Sequence, residues 1–108
     1  MVTTRPITAD ELFQMGGDAP YVLIEGELIE EMSTQGRLHG KVLSKLTAIL
    51  DAEIVEPGTG EILVGDVGFV LARNPDTVLA PDLAFVRAER LTNAGDAYLD
   101  FAPDLAIE

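Results

Sequence analysis

The sequence of 108 residues has no cysteine, no tryptophan, a single histidine (His39) and only seven basic residues. Without thiols it can form no disulfide, no thiolate-bound zinc and no cysteine nucleophile, so any metal must take oxygen or imidazole ligands. No apolar run approaches the roughly 18 residues needed to span a bilayer, and Met1 to Thr8 lacks the apolar stretch of a signal peptide. A soluble, unexported protein of the reducing cytoplasm is the expectation. Low-complexity tracts, internal repeats and long linkers are missing too. With 47% hydrophobic residues, the length suits one compact domain over 1–108 and is too short for two.

Acid is what the chain has in excess. Nineteen acidic residues against seven basic ones give a formal net charge of -12, a field that repels nucleic acid, whereas proteins that bind phosphates usually carry a basic face. Either a local basic patch overcomes that field or the partner is not nucleic acid. One such patch is legible: Arg37, Lys41 and Lys45 recur at four-residue steps and line one ridge of a predicted helix. Asp51, Glu53 and Glu56 come at its far end, so the charges run against the helix dipole and forgo roughly 0.3–1 kcal/mol for each well-placed charge. A ridge facing phosphates would explain the inversion, and so would an ordinary solvated face.

Thr8-Ala9-Asp10-Glu11 is a capping-box pattern before Leu12, Phe13 and Met15, and Gly16-Gly17 stops it, which predicts a short helix over 8–15. Tyr21 to Ile24 and Glu27 to Met32 read as strands joined by the two-residue turn Glu25-Gly26. From Gly36 to Glu56, Leu38, Val42, Leu46, Ile49, Leu50 and Ile54 mark one face of a long amphipathic helix that Pro57-Gly58 ends. Strand-like runs follow at 61–64 and 67–72, then a turn at Arg73-Asn74-Pro75-Asp76, then strands at 83–86 and 105–107. The pattern predicts an α/β or α+β fold in which a mixed sheet is flanked by helices.

Two carboxylates stand out in this frame. Asp82 sits at the entrance of the run Leu83 to Val86, and Glu108 closes Ala102-Pro103-Asp104-Leu105-Ala106-Ile107-Glu108. Acidic side chains at the mouths of short strands are the setting in which hard divalent cations are held for phosphodiester chemistry. Asp104 shares strand parity with Glu108 but stands about 13 Å from it at roughly 3.3 Å per residue, so only Glu108 can join Asp82 at one ion. The plainer alternatives are a turn aspartate bonded to nearby backbone and a solvated strand end. His39, at the start of the long helix, could ligate a metal, orient a water or transfer a proton. Its plainer alternative is a hydrogen bond to nearby backbone.

Four segments in this order resemble the Uma-two family of endonucleases, built on the restriction-endonuclease-like PD-(D/E)xK fold. They are Leu23-Ile24-Glu25-Gly26-Glu27-Leu28, the stretch from Glu31-Met32-Ser33 to His39, Val78 to Val86, and Ala102 to Glu108. The resemblance implies that the third and fourth supply catalytic strands, that Asp82 and Glu108 bind Mg2+ or Mn2+, and that His39 sits near the active centre. The substrate it implies is nucleic acid, DNA before RNA. It also implies a catalytic lysine beyond Glu108 that this sequence lacks, and Val22 and Thr34 stand where the family often has Glu and Pro. The expectation is a nuclease domain cut where its chemistry begins and inactive in this form, with an open sheet edge that invites a homodimer. A non-catalytic interaction domain derived from a nuclease is the competing expectation.

Overall fold

The computed structural model describes residues 5–16, 20–31, 35–55 and 58–108, the side chains of residues 54 and 55 excepted. The expectations at Gly17, Met32, Ser33, Thr34, Glu56 and Pro57, and at the side chain of Ile54, lie outside the described residues. The rest gather into two compact units, both discontinuous in sequence. The first draws on Met1–Met32, Gly68–Ala80 and Ala97–Ala102, and the second on Ser33–Val67, Pro81–Asp96 and Pro103–Glu108.

The first unit opens with α1, Ala9–Gln14. Its start is set by the capping box: Thr8 Oγ1 accepts the Glu11 N–H at 3.2 Å, and the Glu11 carboxylate accepts the Thr8 N–H at 2.9 Å, so two otherwise orphaned donors are satisfied. Arg5 adds a bond to the same carboxylate at 2.8 Å. Together the Arg5 guanidinium and the Thr8 backbone hold the Glu11 carboxyl down to about 2. Strands β1 (Tyr21–Ile24) and β2 (Glu27–Glu30) form the expected hairpin. Both turn residues have positive φ, Glu25 at 48° and Gly26 at 79°, as a two-residue turn matching the strand twist requires. A side chain at Gly26 would also run into Pro6.

Strands β3 (Gly60–Val64) and β4 (Phe69–Ala72) come next along the chain, and β4 turns through Arg73–Asp76 into β5 (Thr77–Leu79). The sheet of the first unit is ordered β2-β1-β5-β4, antiparallel throughout, with one parallel bridge from Phe69 to Leu99. Its core is Ala9, Leu12, Leu23, Val70 and Val78, with Ile7, Leu28 and Tyr98 packed against it. Val22 is buried as well. Across α1, Phe13 meets Tyr98 edge to face at 5.1 Å between ring centroids, a favoured geometry for aromatic quadrupoles.

The second unit holds the long helix α2, Arg37–Leu50, which continues as a π-helical turn over Asp51–Val55. Its sheet is ordered β3-β6-β7, where β6 is Leu83–Arg87 and β7 is Leu105–Ile107, again antiparallel. Leu83, Ala84 and Val86 of β6 are buried. Consecutive burial of this kind fits a central strand covered on both faces. Gly60 lies so close to β6 that an added methyl group would overlap the Val86 carbonyl.

The mixed α and β architecture is as expected, with its strands shared between two sheets. One segment differs in detail. Val78 to Val86 is not a single strand: β5 belongs to the first unit's sheet, and Ala80-Pro81-Asp82 breaks the chain before β6 enters the second. Proline forbids the ladder hydrogen bond there, and an aspartate beside it favours a turn.

Candidate active site

Asp82, Glu108 and His39, the candidate site residues read from the sequence, all lie in the second unit. Asp82 immediately precedes β6 and Glu108 immediately follows β7. These strands are antiparallel neighbours with Leu83 opposite Ile107, Ala84 opposite Ala106 and Phe85 opposite Leu105. Extending that register by one residue brings Asp82 level with Glu108, and directly opposed positions stand about 5 Å apart at Cβ. Two carboxylates that are 26 residues apart in sequence thus emerge at the same end of one strand pair.

A cavity of about 370 Å³ opens at that end. Asp82 and Glu108 line it, and so does His39 from the first turn of α2. The helix places His39 there by periodicity: Leu43 and Leu46, four and seven residues on, line the same space and share its face of the helix. Leu38, Val42 and Ile107 complete mostly apolar walls. Ile107 lines the cavity alongside Glu108.

Asp104 does something the sequence reading did not foresee. It accepts the Arg87 backbone N–H at 2.9 Å and pairs with the Arg90 guanidinium at 3.0 Å, while its own N–H donates to the Phe85 carbonyl at 2.9 Å. The Arg87 backbone bond, followed by Arg90, holds its carboxyl below the usual range. Asp104 therefore fastens the start of β7 to the end of β6, the far end of the pair from Asp82 and Glu108. The signal available in sequence was two arginines three apart, directly after a predicted strand.

The donor set suits a hard cation in part. Mg2+ is commonly held by one or two carboxylates, with water and substrate phosphate completing the shell, and Asp82 with Glu108 meets that minimum. Among the described residues no group of three or more His, Cys, Asp or Glu side chains is close enough to form a full protein cage. The two lysines of the sequence, Lys41 and Lys45, are exposed on α2 and do not line the cavity.

The family model of Uma2, described as "Putative restriction endonuclease", matches residues 9–108. The chain belongs to the Uma2 family. Its fold is similar to a crystal structure described as a putative nuclease belonging to DUF820 from Anabaena variabilis ATCC 29413, with a TM-score of 0.71 and 21% sequence identity. The match covers 95% of this chain and 57% of that one, so the Uma2 chain described here spans little more than half the length of the solved protein. No curated protein matches. No helix among the described residues is long and apolar enough to cross a membrane.

Proposed function

We propose that this Uma2 chain carries the two-carboxylate part of a divalent-metal nuclease site, with DNA preferred over RNA as substrate. The observation that supports the reading best is the β6–β7 register, which brings Asp82 and Glu108 to the same end of adjacent strands at a cavity shared with His39. The family description, a restriction endonuclease, favours DNA.

In this reading the carboxylate oxygens of Asp82 and Glu108 hold Mg2+ or Mn2+, which supplies charge neutralisation at a scissile phosphate and lowers the pKa of water. His39 orients the attacking water or takes its proton, as an imidazole can near neutral pH. Leu38, Val42 and Leu46 give the same space apolar walls, beside which electrostatic interactions are stronger than in bulk water. No lysine reaches the cavity, so the 108-residue chain by itself is slow or inactive.

A metal titration tests the proposal without requiring turnover. Binding to the native form alone must raise the thermal midpoint, by about 2.7 kcal/mol of added stability when the ion is at a hundredfold its dissociation constant. Mg2+ or Mn2+ is expected to raise the midpoint of the wild type and to leave that of Asp82→Ala unmoved. A flat wild-type response, or the same rise in both proteins, would sink the reading. In parallel, nicking of supercoiled plasmid by the chain is expected to stay near background, and equal nicking by wild type and Asp82→Ala would identify a contaminant.

The second reading, a non-catalytic interaction domain, draws on the net charge of -12 and on the position of both lysines away from the cavity. It expects no metal response at all.

A further inference from the structure

The outward face of α2 gathers the unpaired positive charge of the chain. Arg5, Arg73, Arg87 and Arg90 each pair with a carboxylate, whereas Arg37, Lys41 and Lys45 pair with none among the described residues. All three are exposed on this one helix. In a chain with nineteen acidic residues, none of those that make up α2 is acidic, so the ridge keeps a local positive field inside a negative one.

Two features of this face disfavour the helix and serve no contact among the described residues. The basic residues occupy the first half of α2 while Asp51 and Glu53 follow its end, the reverse of what the helix dipole favours. Gly40, three residues after Arg37 and inside the helix, is a weaker helix former than alanine, yet a methyl group there would meet nothing within 4 Å. With the exposed Ser44 and Ala48 at four-residue steps, it leaves one flank of the ridge low enough for close approach by a broad partner. The other flank borders the candidate site. Residues three apart are neighbours on a helix surface, which sets Lys41 beside Leu38 and Lys45 beside Val42, and both of these apolar residues line the cavity of Asp82 and Glu108. From Arg37 to Lys45 the ridge runs about 12 Å at roughly 1.5 Å per residue, the axial length of roughly three steps along one DNA strand.

We propose that Arg37, Lys41 and Lys45 hold the phosphate backbone of duplex DNA beside the bond to be cut. The inference rests on the nuclease reading and adds to it the surface that positions the substrate. Duplex DNA is the partner that fits, because it carries one charge per about 1.7 Å of axis, a density that a short ridge on a chain of net charge -12 requires. Leu38 and Val42, 71% and 48% exposed, lie between the ridge and the cavity and are covered by the same strand.

Fluorescence anisotropy of a labelled DNA duplex, titrated with the full chain in EDTA at several salt concentrations, is the test. Three phosphate contacts predict that log K falls with log salt at a slope of about -2.7. Lys41→Gln and Lys45→Gln are each expected to reduce that slope by about 0.9 and to weaken binding about tenfold at low salt. Their thermal midpoints are expected to stay put, since both side chains are exposed and glutamine forms helix nearly as well as lysine. Gln14→Glu, at an exposed position of α1, changes the net charge by the same amount and is expected to leave the slope unaltered. Equal losses in Gln14→Glu and Lys41→Gln would overturn the proposal, because the global field and not the ridge would then set the affinity. A wild type that binds no duplex at low salt would overturn it too. So would displacement by poly-glutamate as readily as by unlabelled duplex, which would make an acidic polypeptide the occupant. Each of these failures leaves the metal response of Asp82 standing, whereas a flat metal response beside an intact ridge effect would remove the nuclease site and leave a DNA-binding face.

Discussion

Replacing Phe69 by alanine is expected to cost about 3–5 kcal/mol, the usual range for truncating a buried aromatic ring. Phe69 is 1% exposed and is among the largest fully buried side chains of the chain. It is also a junction: β4 pairs with β5 through Phe69 and Leu79, and the parallel bridge to Leu99 is made at the same residue. The neighbouring Gly68 lies against the Tyr98 ring, so closely that a methyl group there would overlap it, and the backbone around the new cavity has little freedom to collapse. Domains of this size are stable by about 5–15 kcal/mol, so Phe69→Ala removes a large share of the total. Urea unfolding followed by circular dichroism checks this. A loss below about 1 kcal/mol would show that the site relaxes far more than partial collapse allows.

The second large loss is expected at Asp76, the one charged side chain buried among the described residues, at 6% exposed. Its Oδ2 accepts the Ala9 N–H at 2.8 Å and the Arg73 guanidinium at 3.3 Å, and its Oδ1 accepts the Asn74 N–H at 3.2 Å. Ala9 is itself buried, so Asp76→Ala strands its N–H without a partner at a cost of about 1–3 kcal/mol, and the loss of the Arg73 pair adds to it. The Ala9 N–H, more than the other contacts, holds the Asp76 carboxyl below its ordinary value.

The pH dependence follows from that direction. A carboxyl whose folded pKa is depressed contributes stability that is complete above its unfolded value near 3.9 and is lost as pH falls through the folded value. Asp104 is depressed as well, and Glu11 sits at about 2, so the thermal midpoint of the wild type is expected to fall from about pH 4 to about pH 2. Protonation also relieves repulsion among the remaining acids, which acts the other way. Comparison with Asp76→Ala cancels that contribution, because both proteins share it. The difference in midpoint between them is expected to shrink on acidification, and a constant difference would mean that Asp76 contributes through packing alone.

The sequence announced its local structure well because the signals there are local. A capping box, a two-residue turn with a glycine and a three-to-four periodicity each act within a few residues, and α1, the β1–β2 hairpin and α2 occur where they indicate. Asp82, Glu108 and His39 could be assembled at one cavity because the two apolar runs that carry the carboxylates pair with each other. What stayed hidden depends on contacts distant in sequence. Nothing within Val78 to Val86 says that Val78 pairs with β1 while Leu83 pairs with β3 and β7. The clamp of Asp104 on Arg87 and Arg90 was invisible for the same reason, since an acidic strand end reads equally well as solvated.

The alternation of the chain between its two units limits how the molecule can be taken apart. Each unit is made of three separate stretches, with transitions at 32/33, 67/68, 80/81, 96/97 and 102/103. No terminal deletion isolates either unit, since removing 1–32 keeps the second together with pieces of the first and removing 103–108 keeps the first together with pieces of the second. A truncation series would therefore register damage to one unit before it mapped where activity resides. Point substitution on the full-length polypeptide is the route by which its parts can be dissected.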